Sequence, residues 1–369
     1  MLPAPSALSA SAPLHSHTTT DTTLSETNAA SARHEQLLNW LALHAQRFEL
    51  NMDQLAPASG DASFRRYYRI PSGVHGTLVV MDAPPLQEDC RPFVHVTRLL
   101  AATGVSVPEL HAYDLEQGFM LLSDLGKYTY YQVIQTQPED AALQAIYRDT
   151  LNALVKMQAA STEGLPEYDA QRLHQELQVF PEWYVERLLQ TSLSAAERSM
   201  LDTVFGLLVH DAVTQPHVLV HRDFHSPNLI LNTADRNPGI IDYQDALKGP
   251  ISYDIASLVM DARTTWEEDQ QLDWAIRYWE AARAAGLPVP TDFAVFHQQY
   301  EWMSLQRNLR ILGVFARLSL RDQKHHYLDH IPRLLNYVRQ VAFRYHDLRP
   351  LIRLLNRLEE LPAHTAGAR

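Results

Sequence analysis

Between His221 and Asp242 the chain reads HRDFHSPNLILNTADRNPGIID. Asp223 follows a His-Arg pair, Asn228 comes five residues later, and Asp242 closes an apolar run. A carboxylate at 223 can orient a hydroxyl and take its proton. The side-chain carbonyl of Asn228 and the carboxylate of Asp242 offer hard oxygen ligands of the kind Mg²⁺ prefers when it bridges the phosphates of ATP. Such chemistry needs the three groups within reach of one reactant, so the elements around them must be rigid.

The flanking residues predict that rigidity. Val218-Leu219-Val220, Leu229-Ile230-Leu231 and Gly239-Ile240-Ile241-Asp242 read as short buried strands, with the oxygen-bearing residues at their ends and in the tight loop between them. Tyr253-Asp254 opens a helix after the last of these strands, where Asp254 can act as an N-cap or brace the loop through its backbone amides. His221 is expected to support the loop structurally. His225 can either hydrogen-bond a substrate or brace the same loop.

The chain has 369 residues, 46% of them hydrophobic, enough for a large core or two lobes. Its formal net charge of -12 argues against a general affinity for nucleic acid or an anionic membrane. The single cysteine, Cys90, excludes an internal disulfide and a thiolate metal cluster. No uninterrupted apolar stretch spans a bilayer, and the start lacks a secretory pattern. A cytoplasmic protein with no obligatory protein partner is expected. Residues 1–32, rich in Ser, Thr, Ala and Pro, read as a disordered tail.

After the tail, residues 33–126 read as a strand-rich lobe. His34 to Phe48 has helical apolar spacing; a turn-rich SGDAS segment, Ser59 to Ser63, then precedes β-like runs at 64–70 and 76–82. A small-residue turn between strands can lay backbone N–H groups over phosphates, which makes Ser59, Gly60 and Ser63 candidate nucleotide contacts. A helix follows over 91–102, then strands at 109–113 and 118–123. From Glu139 the pattern turns helical, with helices expected at 139–158, 168–190, 194–211, 251–263, 267–285, 291–320, 324–345 and 347–360. Residues 127–369 form the second, helical lobe, and an ATP site is expected in a cleft between lobes.

H-R-D-x-x-x-x-N followed by a later Asp resembles the catalytic loop of protein-kinase-like phosphotransferases. HRDFHSPNLIL, IIDYQDALKGPISYDIASL and TGVSVPEL together resemble the aminoglycoside phosphotransferase-like superfamily, which also includes choline kinases, over about residues 55 to 320. SGDASFRRYYR, VVMDAPP, CRPFVHV, GFMLLSDLG, FPEWYVER and LQRNLRILGVFARL are similar to a narrower bacterial branch. That branch phosphorylates the anomeric hydroxyl of N-acetylmuramate or N-acetylglucosamine in cell-wall recycling. The resemblance implies a bilobal α+β protein-kinase-like fold, with ATP and Mg²⁺ as cofactors. By position it makes Asp223 the catalytic base, Asn228 and Asp242 metal ligands, and the SGDAS turn a phosphate cover. Leu122, Ser123 and Leu125 would form the adenine hinge.

One departure stands out. Where the superfamily carries a phosphate-binding Lys this chain has Met81, and Phe93 stands where the partner Glu belongs. Losing both avoids an unpaired buried charge. Arg65, Arg66 and Arg91 are the candidates to replace the lost cation, and Arg66 is counted among the nucleotide contacts. For the sugar, Arg307, Arg310, Arg317 and Arg321 follow steps that put most of them on one helix face. Such a face can hold the lactyl carboxylate of N-acetylmuramate bidentately, or simply be solvated. Glu176, Trp183 and Tyr184 can line the acceptor site or pack in the core.

Three other readings remain. A metal-dependent hydrolase would use His221, Asp223, His225 and Asp242 as ligands, but no paired His motif accompanies them. A non-catalytic pseudokinase fits the missing Lys but not the retention of Asp223, Asn228 and Asp242. A kinase of another small alcohol, of aminoglycoside or choline type, would favour an acidic cleft.

Overall fold

The computed structural model describes residues 19–60, 64–232 and 236–360. Contacts divide the chain into two units, Met1–Asp89 with Leu110–Ser123, and Cys90–Glu109 with Asp124–Arg369. Residues 90–109, expected in the strand-rich lobe, thus belong to the helical unit.

The first unit is one helix on one sheet. Helix α1, Thr19–Phe48, begins inside the stretch expected to be disordered. Its Leu37, Trp40, Leu41 and Phe48 fall on one stripe and pack against Ile70, Leu78, Val80, Phe119 and Leu121. Each such side chain contributes about 1.5–3 kcal/mol by burial. The antiparallel sheet contains β1 (Ala56–Gly60), β2 (Arg66–Ser72), β3 (Gly76–Asp82), β4 (Leu110–Asp114) and β5 (Phe119–Ser123) in the order β1-β2-β3-β5-β4. Strand β1 was not expected. Its small residues carry no period-two signal, and pairing of Ala56–Gly60 with Arg66–Arg69 of β2 builds it instead. Arg33 of α1 ties the helix to the end of β3: its Nη2 and Nε donate to Asp82 Oδ1 at 2.7 and 2.9 Å.

The second unit opens with α2 (Arg91–Ala101) and continues through α3 (Tyr130–Gln135), α4 (Asp140–Gln158) and α5 (Ala170–Leu177). The helix expected over 168–190 is two pieces. After α5, Phe180–Leu188 winds as a π-helix with Pro181 in its first turn, where proline's missing N–H cannot support the ordinary ladder. Helix α6 (Ala195–Thr214) follows, opened by a capping box between Ser194 and Glu197. Strand β6 (His217–Val220) pairs with β9 (Leu247–Pro250), and β7 (Leu229–Ile230) with β8 (Gly239–Ile240). Strand β9 and helix α3 were not anticipated. Helices α7 (Tyr253–Val259), α8 (Glu268–Ala284), α9 (Phe293–Asp322), α10 (Ile331–Arg344) and α11 (Pro350–Glu359) complete the unit.

Helix α9 packs against the π-helix, α7 and α10. A Cβ on its Gly313 would lie 2.2 Å from the main-chain oxygen of Val179, so the close approach of these two segments depends on the absent side chain. No helix among the described residues is long and apolar enough to cross a membrane.

Candidate functional site

Strand β6 ends where the loop begins, and α7 fixes that junction. Asp254, fully buried, accepts the main-chain N–H of His221 at 2.7 Å and that of Arg222 at 3.1 Å. It lies inside the first turn of α7; the N-cap position is Ser252. Burial pushes the Asp254 carboxyl up to about 6, against the opposing pull of His221, the two N–H donors and Arg307.

His221 spans the loop from within. Its Nε2 lies 2.9 Å from the Ile241 main-chain oxygen, and its Nδ1 is 3.3 Å from the main-chain nitrogen of Asp223. Burial drives its pKa down although Asp254 and Asp223 pull the other way, so the ring is neutral, donating from Nε2 and accepting at Nδ1. The backbone takes left-handed φ values of 78° at Arg222 and 65° at Asp242, which for residues with side chains stores strain on either side of the site.

The candidate chemistry converges here. Asn228 Nδ2 donates to the main-chain oxygen of Asp223 at 2.9 Å and to Asp242 Oδ2 at 3.4 Å. Gln244 Nε2 donates to Asp242 Oδ1 at 2.8 Å. A single side-chain amide therefore ties the start of the loop to the acid that follows β8. Because Asn228 donates through nitrogen, its Oδ1 has no hydrogen-bond donor among the described residues. An amide oxygen beside a carboxylate suits Mg²⁺ completed by phosphate and water. Burial alone would raise the Asp223 carboxyl, but His225, Arg310, Arg307 and Arg222 outweigh it and bring the group down to about 2.

The three arginines are held by a second network. Glu176 Oε1 accepts from Arg222 Nη2 at 2.7 Å, and its Oε2 lies 3.3 Å from Arg310 Nε and takes the Tyr168 hydroxyl. Both oxygens of Glu176 are thus occupied, and Arg310 is committed to them. Arg307 is only 3% exposed; its Nη2 is 3.4 Å from the Arg222 main-chain oxygen and its guanidinium sits 5.0 Å from the Tyr253 ring centroid. A solvated arginine face describes only the far end of α9, where Arg321 pairs with Asp322. The expected acceptor-side aromatics divide: Tyr184 is buried, and Trp183 lies under the Arg187 guanidinium at 3.9 Å.

The remaining candidates sit elsewhere in the chain. Ser59 and Gly60 end β1; Ser63 lies outside the described residues. Arg65 is bound to Glu88 at 2.9 Å, with both side chains mostly buried. Arg66 is exposed on β2, opposite Gly60 and Asp82, and has no ion-pair partner among the described residues. Met81 is buried in β3, and Phe93 stacks on Tyr243 with ring centroids 5.2 Å apart. Leu122 is buried in β5, Ser123 closes that strand, and Leu125 covers Gly239, where a Cβ would meet its Cδ1 at 2.8 Å.

Arg222, Gln244 and the segment Asp261–Arg263 carry no marker of their place in the site at the level of sequence. Arg222 and Gln244 sit inside strings already singled out, but nothing in their spacing marks which neighbour they hold. No cluster of three or more His, Cys, Asp or Glu able to hold a metal occurs among the described residues.

The family model described as Phosphotransferase enzyme family matches residues 54–294. An N-acetylmuramate/N-acetylglucosamine kinase of Pseudomonas putida is 42% identical over 322 residues, 87% of this chain and 91% of that protein. The protein of the same name from Neisseria meningitidis serogroup B is 43% identical over 88% of this chain and 95% of its own length. Among solved structures, ADP-bound aminoglycoside phosphotransferase APH(2'')-Ib aligns with a TM-score of 0.53 at 14% identity, covering 84% of this chain and 98% of that one. Choline kinase LicA from Streptococcus pneumoniae aligns at 0.52 and 12% identity over 81% and 97%. These two share the fold.

Proposed function

The chain belongs to the phosphotransferase enzyme family, and on that footing we propose that it moves the γ-phosphoryl group of ATP to the anomeric hydroxyl of N-acetylmuramate and N-acetylglucosamine. The products would be the α-1-phosphates, formed in the cytoplasm during cell-wall recycling. The relatives named for these two sugars support the choice of acceptor. The observation that carries the chemistry is the double reach of Asn228 to Asp223 and Asp242.

In this reading Asp223 receives the acceptor hydroxyl. A carboxylate brought down to about 2 is ionised at neutral pH and accepts a hydrogen bond well, yet takes a proton only late, as the oxygen–phosphorus bond forms. An anomeric hydroxyl, more acidic than an ordinary alcohol, suits such a weak base. The bond from γ-phosphorus to the bridging oxygen breaks, ADP leaves, and the proton passes through Asp223 to solvent. Asn228 and Asp242 would hold Mg²⁺, which supplies positive charge to the phosphates. As the resemblance implies, Ser59 and Gly60 would contact those phosphates, and backbone groups from Leu122 to Leu125 would pair with adenine. Exposed, and with no ion-pair partner among the described residues, Arg66 fits the place of the missing lysine better than Arg65, whose guanidinium is bound to Glu88.

Incubating the protein with Mg-ATP and a panel of N-acetylmuramate, N-acetylglucosamine, an aminoglycoside and choline tests this directly. Sugar 1-phosphate is expected from the first two. Asp223→Asn should lower kcat by about 10²–10⁴ with ATP binding intact; full turnover by that variant would overturn the assignment.

A further inference from the structure

The segment following α7 carries polar groups that neither the fold nor the phosphoryl site uses. Asp261 is 3% exposed, and its Oδ2 is buried without a hydrogen-bond partner among the described residues. Its Oδ1 lies 3.6 Å from His225 Nδ1 and 3.7 Å from Arg263 Nη1, too far for a hydrogen bond to either. Burial would raise this carboxyl, but His225, Arg263 and Arg307 hold it below the usual carboxylate range. A buried, ionised oxygen with no donor is costly to keep, unless something that binds there supplies one.

The spot is close to the reacting carboxylate. The main-chain N–H of His225 donates to the Asp223 main-chain oxygen at 3.0 Å, and its side chain points to Asp261 and to Arg263 Nη1 at 3.2 Å. Arg263 keeps 24% of its side chain exposed, and its only hydrogen bond among the described residues is the one to His225. That separates it from Arg310, which is bound to Glu176, and from Arg307, which is buried under the Arg222 carbonyl. The segment is also fixed from behind, since Arg333 Nη1 donates to the Ala262 main-chain oxygen at 2.6 Å and the Tyr337 hydroxyl to that of Thr264 at 3.2 Å.

We propose that Asp261, Arg263 and His225 form the acceptor subsite, with Asp261 Oδ2 accepting a sugar hydroxyl and Arg263 binding the lactyl carboxylate that N-acetylmuramate has and N-acetylglucosamine lacks. The inference rests on the activity proposed above and names the residues that would discriminate between its two substrates. A carboxylate takes the hydroxyl common to both sugars, and a guanidinium with open N–H groups takes the planar anion of one.

Equilibrium binding of each sugar, measured by calorimetry with a non-hydrolysable ATP analogue present, tests this without needing turnover. In Arg263→Met the Kd for N-acetylmuramate should rise at least about tenfold while that for N-acetylglucosamine stays within about twofold. In Asp261→Asn both should weaken, with their ratio preserved. Comparing two sugars on one preparation cancels any loss of folded protein. An unchanged ratio in Arg263→Met overturns the subsite, as does weakened ATP-analogue binding with sugar affinities intact, which would give Arg263 to the nucleotide. Wild-type protein that binds neither sugar overturns it too, whereas binding without turnover counts only against the proposed reaction.

Discussion

Asp254 accepts the main-chain N–H of His221 at 2.7 Å across 33 positions of sequence. The bond places a buried carboxylate directly beneath the loop that presents Asp223, so the charge on Asp254 and the shape of the loop are linked. The acid's pKa is raised to about 6 by burial. Its contribution to stability is therefore full below about pH 4 and is lost as pH rises through about 6, amounting to at most about 3 kcal/mol. Loop geometry has the opposite need, because two N–H donors favour the ionised acceptor. Turnover should climb through pH 6 while thermal stability declines, and Asp254→Asn should flatten both slopes. Paired activity and melting profiles between about pH 4 and 8 check this.

Asp242 and Asn228 are expected to set the metal requirement. Asp242→Asn is the informative variant, since asparagine tolerates the left-handed φ of 65° better than alanine would. Chelation should abolish turnover and Mg²⁺ restore it. The variant should need at least tenfold more Mg²⁺ for half-maximal rate, about 1.4 kcal/mol of lost binding. A titration of rate against free Mg²⁺ measures it.

Arg65 and Arg66 are adjacent and should behave differently. Arg66→Ala is expected to raise the KM for ATP about tenfold with little change in melting, the size of one lost charge-assisted contact. Arg65→Ala breaks a mostly buried ion pair with Glu88 and should cost stability, about 3 kcal/mol. Equal ATP effects from both would remove the distinction.

Gly313 provides a packing test away from the chemistry. Its Cβ would meet backbone atoms of Val179 and Phe180 at 2.2 to 2.8 Å, and backbone cannot step aside as a flexible side chain can. Gly313→Ala should destabilise by about 1–3 kcal/mol. Gly206 lies on the exposed surface of α6, where a Cβ would meet nothing within 4 Å, and should gain up to about 1 kcal/mol as alanine. Denaturant unfolding of the pair reports both.

The order Asp223, Asn228, Asp242 was readable because each residue type matches a task and the apolar runs between them mark buried strands. Most helices were readable for a similar reason: α4, α8 and α9 carry sustained helical spacing. Strand β1 was hidden because Ala56 to Gly60 have no side chains large enough to alternate, so only its partner strand defines it. The break between α5 and the π-helix turned on Pro181 inside an otherwise helical pattern. Asp261 and Arg263 were invisible for another reason. They are set apart only by lying against His225, which is distant in sequence, and no local pattern encodes that. The α9 arginines carried the opposite signal, with a regular face in sequence that folding commits to Glu176 and a carbonyl oxygen.

Met81, buried in β3, has one practical outcome. Residues 1–89 and 110–123 contain no lysine at all. Amine-directed affinity labels built on nucleotides, and covalent inhibitors that seek the same primary amine, would find only a thioether at that position. For the nucleotide site proposed above, selective blockers would need to engage guanidinium or carboxylate groups instead.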